Sequence, residues 1–367
     1  MVLTGFFCEN FRNIEKADLT FDEGVNLFCG NNAQGKTNAV EGIYLFARGK
    51  SFRGASDKDM TRFGEKGFRL KITYRDKSGD HSLEYACFGN ERRRMKDGYR
   101  LEKITEMIGN FRAVLFTPDD LSMIKDGPEM RRNFLNVAIS QCYPIYVRRF
   151  SAFKHALEER NCVLKTANKG FFLDQNEIFA WSKTLSEYAA DLYLLRKQYI
   201  EKLSVSACRL LSVMTGGKDE LSLSFKSDIS PETFDKESIK ECYYRKFTSG
   251  IDREIAVGTT LFGPSHDDME ITVNGISARN FASQGQQRSA VLAIKCAEGE
   301  VIREICGEYP VFLFDDVLSE LDEGRKKYVL SGMEQKQILM TSCETDAIRN
   351  TEQTIRVEGG RYVSSRR

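Results

Sequence analysis

Residues 28–42 read FCGNNAQGKTNAVEG. The apolar run "VNLFC" precedes Gly30, and from Thr37 the pattern turns helical, with Ala39, Ile43, Phe46 and Ala47 on one face. Gly30-Asn31-Asn32-Ala33-Gln34-Gly35-Lys36-Thr37 fits G-x-x-x-x-G-K-[S/T] in the order strand, glycine loop, helix. The glycines let backbone N–H groups and a helix N-terminus face phosphates, Lys36 reaches the outer phosphate oxygens, and Thr37 ligates Mg²⁺. This cradle for ATP predicts a parallel α/β core around a mononucleotide site.

Such a cradle needs a second carboxylate for the metal at a strand end. "VFLFDD" supplies one: Val311 to Phe314 are apolar, then come Asp315 and Asp316. Asp315 is expected to hold Mg²⁺, and Asp316 to polarise the attacking water. Adjacent carboxylates repel unless a cation or a shared proton lies between them. A third stretch, "SQGQQ" (Ser283 to Gln287), opens a helix that leads to the aspartate strand. Alone it reads as a helix N-cap; in that position it also offers donors to an anion. After the aspartates comes "SELD", Ser319 to Asp322.

With these three elements the sequence resembles the ABC-type ATPase heads, whose signature loop from one subunit closes over the nucleotide of another. Within that group, "NFRNI", "GNNAQGKTN", "FTPDDLSMIKDGPEMRRNFL", "SQGQQRSAVLAIKCAE" and "FLFDDVLSELD" are similar to the RecF family of bacterial recombination mediators, over residues 5 to about 345. The resemblance implies an α/β ABC-type P-loop ATPase head: a mixed sheet with flanking helices, an antiparallel lobe and an inserted helical arm. It implies that Gly30 to Thr37 bind ATP, that Lys36 and Asp316 are catalytic, and that Thr37 and Asp315 hold Mg²⁺. By the same resemblance, Arg12 of "NFRNI" touches the phosphates of its own subunit, and Ser283 and Gln286 sense the γ-phosphate across an ATP-dependent homodimer. It further implies weak ATPase activity coupled to dimer opening, binding of double- and single-stranded DNA at gapped junctions, and action with RecR and, indirectly, RecA. The sequence departs from the pattern in three places. "FTPDDL" stands where ABC heads usually offer a glutamine, "MTSCETD" lacks the usual histidine, and "GPSHDD" (Gly263 to Asp268) stands where the family usually has "GPHRDD". The last exchange puts a titratable side chain, His266, in place of a permanent cation.

The chain has 367 residues, 41% of them hydrophobic, enough for a large core. Lys+Arg at 54 against Asp+Glu at 53 leaves a charge of +1, so only a local basic face can mark a nucleic-acid partner. Two candidates stand out: Arg92, Arg93 and Arg94 in "ERRRMKDGYR", and Arg131, Arg132, Arg148 and Arg149 in the helical stretch. Arg131 and Arg132 have a competing reading, tying the arm to the core through acidic partners. Ten cysteines without a CxxC read as reduced core residues of a cytosolic protein, and no leader or membrane span is expected.

The expected domains are residues 1–120 and 226–367 as the two parts of the ATPase core and 121–225 as a helical arm. Lys36 and Ser283 lie 247 residues apart, more than a transporter head needs and far less than an SMC-type arm requires. Other classes open to such a chain are a chromosome-organising SMC-like head and a P-loop enzyme acting on a small molecule.

Overall fold

A computed structural model describes residues 1–317, 324, 326, 336–343 and 352–366. The chain divides into two compact units. Met1–Leu121, Arg209–Asp219 and Arg288–Arg367 form the first, and Ser122–Cys208 and Glu220–Gln287 the second.

The first unit opens with β1 (Val2–Phe11), β2 (Ile14–Thr20), β3 (Val25–Cys29), α1 (Lys36–Arg48), α2 (Asp57–Met60), β4 (Gly67–Asp76), β5 (Gly79–Phe88), β6 (Glu91–Lys96), β7 (Tyr99–Arg100) and β8 (Ala113–Phe116). The second unit contains α3 (Ser122–Lys125), α4 (Pro128–Cys142), α5 (Pro144–Asn168), and α6 (Gln175–Thr215) as far as Cys208. It continues with β9 (Leu221–Lys226), α7 (Lys236–Ser249), α8 (Ile251–Val257), β10 (Asp268–Val273), β11 (Ile276–Ser277) and α9 (Ala278–Phe281). Helix α10 (Gln284–Cys306) starts in the second unit and belongs to the first from Arg288; β12 (Val311–Phe314), β13 (Ile338–Ser342), β14 (Gln353–Glu358) and β15 (Arg361–Arg366) follow.

Two six-stranded sheets make up the first unit. One has the order β2-β1-β4-β5-β6-β7 and is antiparallel throughout; the other has the order β15-β14-β3-β13-β12-β8, parallel except for β15. Strands β8 and β12 are buried at every position, and β3 and β13 at all but one. Parallel strands covered on both faces favour such unbroken apolar runs. Helix α1 packs against β1, β4, β8 and β13. It is therefore buried on every side and not on one face: Val40, Glu41, Gly42, Tyr44 and Leu45 join the expected residues. Gly42 permits this, since a Cβ there would lie 2.8 Å from Cζ of Phe6.

Residues 226–287, grouped by the sequence reading with the ATPase core, cluster with the helical unit. The cause is local: β10 pairs with β9 along six positions, and three arginines of the helices find their carboxylates in this stretch. Arg160, fully buried, donates to Ser182, Thr260, the Phe247 carbonyl and the equally buried Glu254. Arg196 donates to Asp267 (2.8 Å), Tyr146 and the Pro264 carbonyl.

Smaller differences have plain causes. The sequence pattern predicts a helix over "ITEMIGNF" and a single strand over "RRRMKDGYRL"; the first forms only a 3₁₀ turn, Ile104–Glu106, and the second folds back as the hairpin β6–β7 at Asp97 and Gly98, both with positive φ. The polar stretch "RYVSSR" near the end of the chain forms β15. Cys8, Cys29, Cys87, Cys142 and Cys296 are buried, but Cys162 and Cys343 are exposed. The sequence pattern also predicts a helix over "DEGRKKYVLSGM", which falls almost wholly outside the described residues.

Replacing Arg160 by leucine leaves Glu254 buried without its cation, a loss of about 3–5 kcal/mol. Trp181, the single tryptophan, lies in the same unit and reports its unfolding, so Arg160→Leu should shift the urea transition followed by its fluorescence to lower denaturant.

Candidate functional site

Strand β3 delivers Gly30 against the neighbouring strand: a Cβ there would sit 2.2 Å from the Val357 carbonyl oxygen. Gly35 closes the loop at φ 115°, a left-handed conformation costly for other residues, with a would-be Cβ 2.8 Å from Asn13 Oδ1. Ala33 also has positive φ, 63°. The loop thus bends tightly before α1, whose N-terminus has no side-chain cap. A helix start without a side-chain cap at the mouth of a glycine loop offers its N–H groups to an anion. Lys36 Nζ lies across the loop, donating to the carbonyls of Gly30 and Asn31, and stands 3.5 Å from Cys343 Sγ.

The carboxylates meet the loop. Thr37 Oγ1 donates to Asp315 Oδ1 at 2.8 Å, and Thr341 Oγ1, from β13, donates to the same oxygen at 3.1 Å. Asp315 is 6% exposed, and burial pushes its carboxyl above the usual range, opposed by these two hydrogen bonds. The next residue turns the other way: Asp316 is exposed, with φ 55°, and its N–H donates to Thr341 Oγ1. Thr37 and Asp315 thus offer adjacent oxygens suited to a hard divalent cation.

Two partners escaped the sequence reading. Glu41, fully buried on α1, accepts from Arg12 Nε (2.9 Å) and Nη2 (2.6 Å), from Ser51, and lies 3.7 Å from Arg53. Arg12, expected at the phosphates, is held in this bidentate pair, with its remaining nitrogen on the Asp59 carbonyl. The signal was present as a charged residue amid the otherwise apolar stretch 39–47. Cys343, in "MTSCETD", donates to Asn32 Oδ1 at 2.9 Å. At "FTPDDL", Asp120 accepts from Thr117 N and Oγ1, and burial raises its carboxyl against the pull of Lys295.

Ser283 and Gln286 lie in the second unit and form a reciprocal cap. Ser283 Oγ accepts from the Gln286 N–H at 3.2 Å, and Gln286 Oε1 accepts from the Ser283 N–H at 3.0 Å. "SELD" falls outside the described residues. In "GPSHDD", the two aspartates, not His266, do the binding: Asp267 holds Arg196, Asp268 holds Arg131 with both oxygens, and the Asp267 carbonyl accepts from Arg132.

That corrects the sequence reading of Arg131 as a DNA contact. It is 7% exposed, and its guanidinium is spent on Asp268 and the carbonyls of Met123 and Asp126. The run Arg92 to Arg94 is not one patch either, because strand residues alternate between faces. Arg92 and Arg94 share the face of Cys87 and Tyr85, where Arg92 pairs with Asp57 and Arg94 lies over the Tyr85 ring; Arg93 points to the other face. On α5, Arg148 is exposed, while Arg149 pairs with Asp191 at 3.1 Å.

The family described as RecF/RecN/SMC N terminal domain matches residues 2–364. The DNA replication and repair protein RecF of Clostridium acetobutylicum is 34% identical over 368 residues, 99% of both chains. This chain belongs to the RecF family. A second RecF, from Clostridioides difficile (strain 630), is 36% identical over 339 residues, 91% of this chain and 90% of the other. A solved structure of the recombination mediator protein RecF with ATP, in the RecFOR pathway, superposes with a TM-score of 0.93 at 32% identity, covering 99% of this chain and 97% of that one. An SMC head bound to the C-winged helix domain of ScpA reaches 0.57 at 14% identity, over 100% and 98% of the chains, a likeness of fold alone. The fold is thus the RecF version of an ABC-type ATPase head, mixed α/β with a helical insertion.

Asp315 binds its proton more tightly folded than unfolded, so stability falls as pH rises through that range and its charge is a net cost at neutral pH. Asp315→Asn should therefore raise the melting temperature in metal-free buffer at neutral pH, and the gain should vanish in acid, as read by scanning calorimetry.

Proposed function

We propose that this member of the RecF family is an ATP-controlled DNA clamp acting in recombinational repair of gapped DNA. The observation that carries the reading is the convergence of Lys36, Thr37 and Asp315 at the uncapped start of α1. ATP would lie with its phosphates against the amides of Gly30 to Thr37, and Lys36 would exchange its two carbonyl acceptors for the outer phosphate oxygens. Thr37 and Asp315 are the residues to hold Mg²⁺, which supplies charge neutralisation on those oxygens. Asp316, turned outward beside this pair, would orient a water and accept its proton. Arg12, fixed by Glu41, would stiffen the wall of the loop and add positive potential.

The exposed cap of Ser283 and Gln286 supplies a serine hydroxyl, a glycine and a helix start to the nucleotide of a second copy, so that two nucleotides join two subunits. Hydrolysis would remove the γ-phosphate that both subunits share and let the dimer open. Cations left outside buried pairs, Arg93 and Arg148, with Arg132, Arg149, Arg92 and Arg94 more constrained, would meet DNA phosphates without reading bases. Gapped DNA, RecR and, through it, RecA are the partners that family membership suggests, with weak turnover fitted to a switch.

Light scattering on a sizing column, run with ATP, ADP and no nucleotide, tests this. Wild type should become a dimer only with ATP, Lys36→Ala should stay monomeric throughout, and Asp316→Asn should hold the dimer longest. A monomeric wild type in ATP refutes the clamp. Duplex affinity should fall steeply with salt in ATP and only shallowly in its absence, and Arg148→Ala should reduce the slope by about one.

A further inference from the structure

A loop that turns its amides toward an anion must turn carbonyls away from it, and those carbonyls need donors of their own. In this chain the Gly30 and Asn31 carbonyls take Lys36, the Gly35 carbonyl takes the Asn38 and Ala39 N–H groups of α1, and further donors to Gln34 and Gly35 come from the hairpin β14–β15, a stretch with no role in the chemistry above. Tyr362 Oη donates to the Gly35 carbonyl at 2.8 Å, and the Gly360 N–H donates to the Gln34 carbonyl at 2.9 Å. The Gly359 N–H donates to Oε1 of Gln34 at 2.7 Å, so this side chain is anchored on the hairpin and not aimed at a ligand. Asn13 Nδ2 adds a second donor to the Gln34 carbonyl at 3.1 Å, and Asn38, on the first turn of α1, donates to Asn13 Oδ1 at 2.8 Å.

The fit is close on both sides. Gly360, at φ 78°, would place a Cβ 2.4 Å from the Asn13 carbonyl oxygen, and Gly30 would place one 2.2 Å from the Val357 carbonyl oxygen of β14. The Tyr362 ring stands edge-on to Phe28, the residue two before the loop, at 6.2 Å between centroids. β14 itself runs parallel to β3, with Ile355 opposite Phe28 and Arg356 opposite Cys29. Strand, turn and phenol thus touch the start, middle and end of the loop.

We propose that the β14–β15 hairpin is the brace that pre-shapes the phosphate-binding loop, with Tyr362 as its positioning residue. The inference rests on the nucleotide reading of residues 30–37. Tyr362 touches no phosphate in this role: it holds the Gly35 carbonyl outward, so that the amides at the start of α1 face the ligand before it arrives. Ligand affinity then includes no cost of ordering the loop.

Tyr362→Phe keeps the ring against Phe28 and deletes only the hydroxyl. Titration with a fluorescent ATP analogue should show Kd raised about fivefold, the worth of one hydrogen bond, with kcat unchanged and the melting temperature lowered by no more than a few degrees. Hydrogen exchange without nucleotide should quicken at amides of residues 30–37 in the variant and stay as in wild type along β1 and β4. Unchanged Kd overturns the proposal, as does unchanged exchange in the loop, and as does a melting temperature that falls with affinity intact, the signature of a merely structural tyrosine. Wild type that binds no ATP analogue defeats the nucleotide reading instead, and the exchange result then decides the brace alone.

Discussion

A 2.8 Å hydrogen bond from Thr37 to Asp315 joins two points 278 residues apart in the chain. Most of the first unit serves to make that meeting possible. Thr37 must sit on the first turn of a helix that enters between two sheets, and Asp315 must end a strand buried on both faces. A carboxylate in such a place is costly, and two hydroxyl donors on one of its oxygens offset only part of the cost. The protein tolerates a poor arrangement for itself that is a good one for a cation, which is how binding sites commonly differ from cores.

Charges buried away from the site have a different task. Arg160 with Glu254 and Arg196 with Asp267 gather helices and loops of the second unit, whereas Lys295 with Glu298 at 2.7 Å is a buried pair within α10 itself. Such pairs add little net stability over an apolar core, but each breaks badly if one partner is lost, and so they favour one arrangement over its neighbours. Glu41 belongs to both groups. It fixes Arg12, Ser51 and the approach of Arg53 around α1, next to the loop whose amides must keep their direction.

What could be read from the sequence was what is local. The glycine loop, "VFLFDD" and the helix after "SQGQQ" each carry their meaning within about ten residues, because strand, turn and helix start are set by near neighbours. Glu41 showed only as a charge among apolar neighbours; its task could not be read, since it depends on an arginine 29 residues away in the turn between β1 and β2. Nor could the fate of "ERRRMK": three adjacent cations look like one patch until strand pairing sends alternate side chains to opposite faces. "GPSHDD" drew notice for its histidine, yet its aspartates carry the structure, because the arginines they hold lie 71 and 137 residues distant. The hairpin at the far end of the chain was invisible for a related reason: an edge strand such as "RYVSSR" is polar and short, and only its neighbours give it a place.

The neighbours of β3 have a consequence for how this protein is made. The strand that carries the phosphate loop lies between β13 and β14, so its flanks are residues 338–342 and 353–356. A ribosome releases the loop early and those flanks hundreds of residues later. During that interval α1 can pack on β1, β4 and β8, but β3 and its glycine-rich loop have no strand to pair with, and contacts of such long sequence separation form slowly. The nucleotide site is therefore among the last parts of the molecule to be finished, and a chain truncated before β13 is released without one.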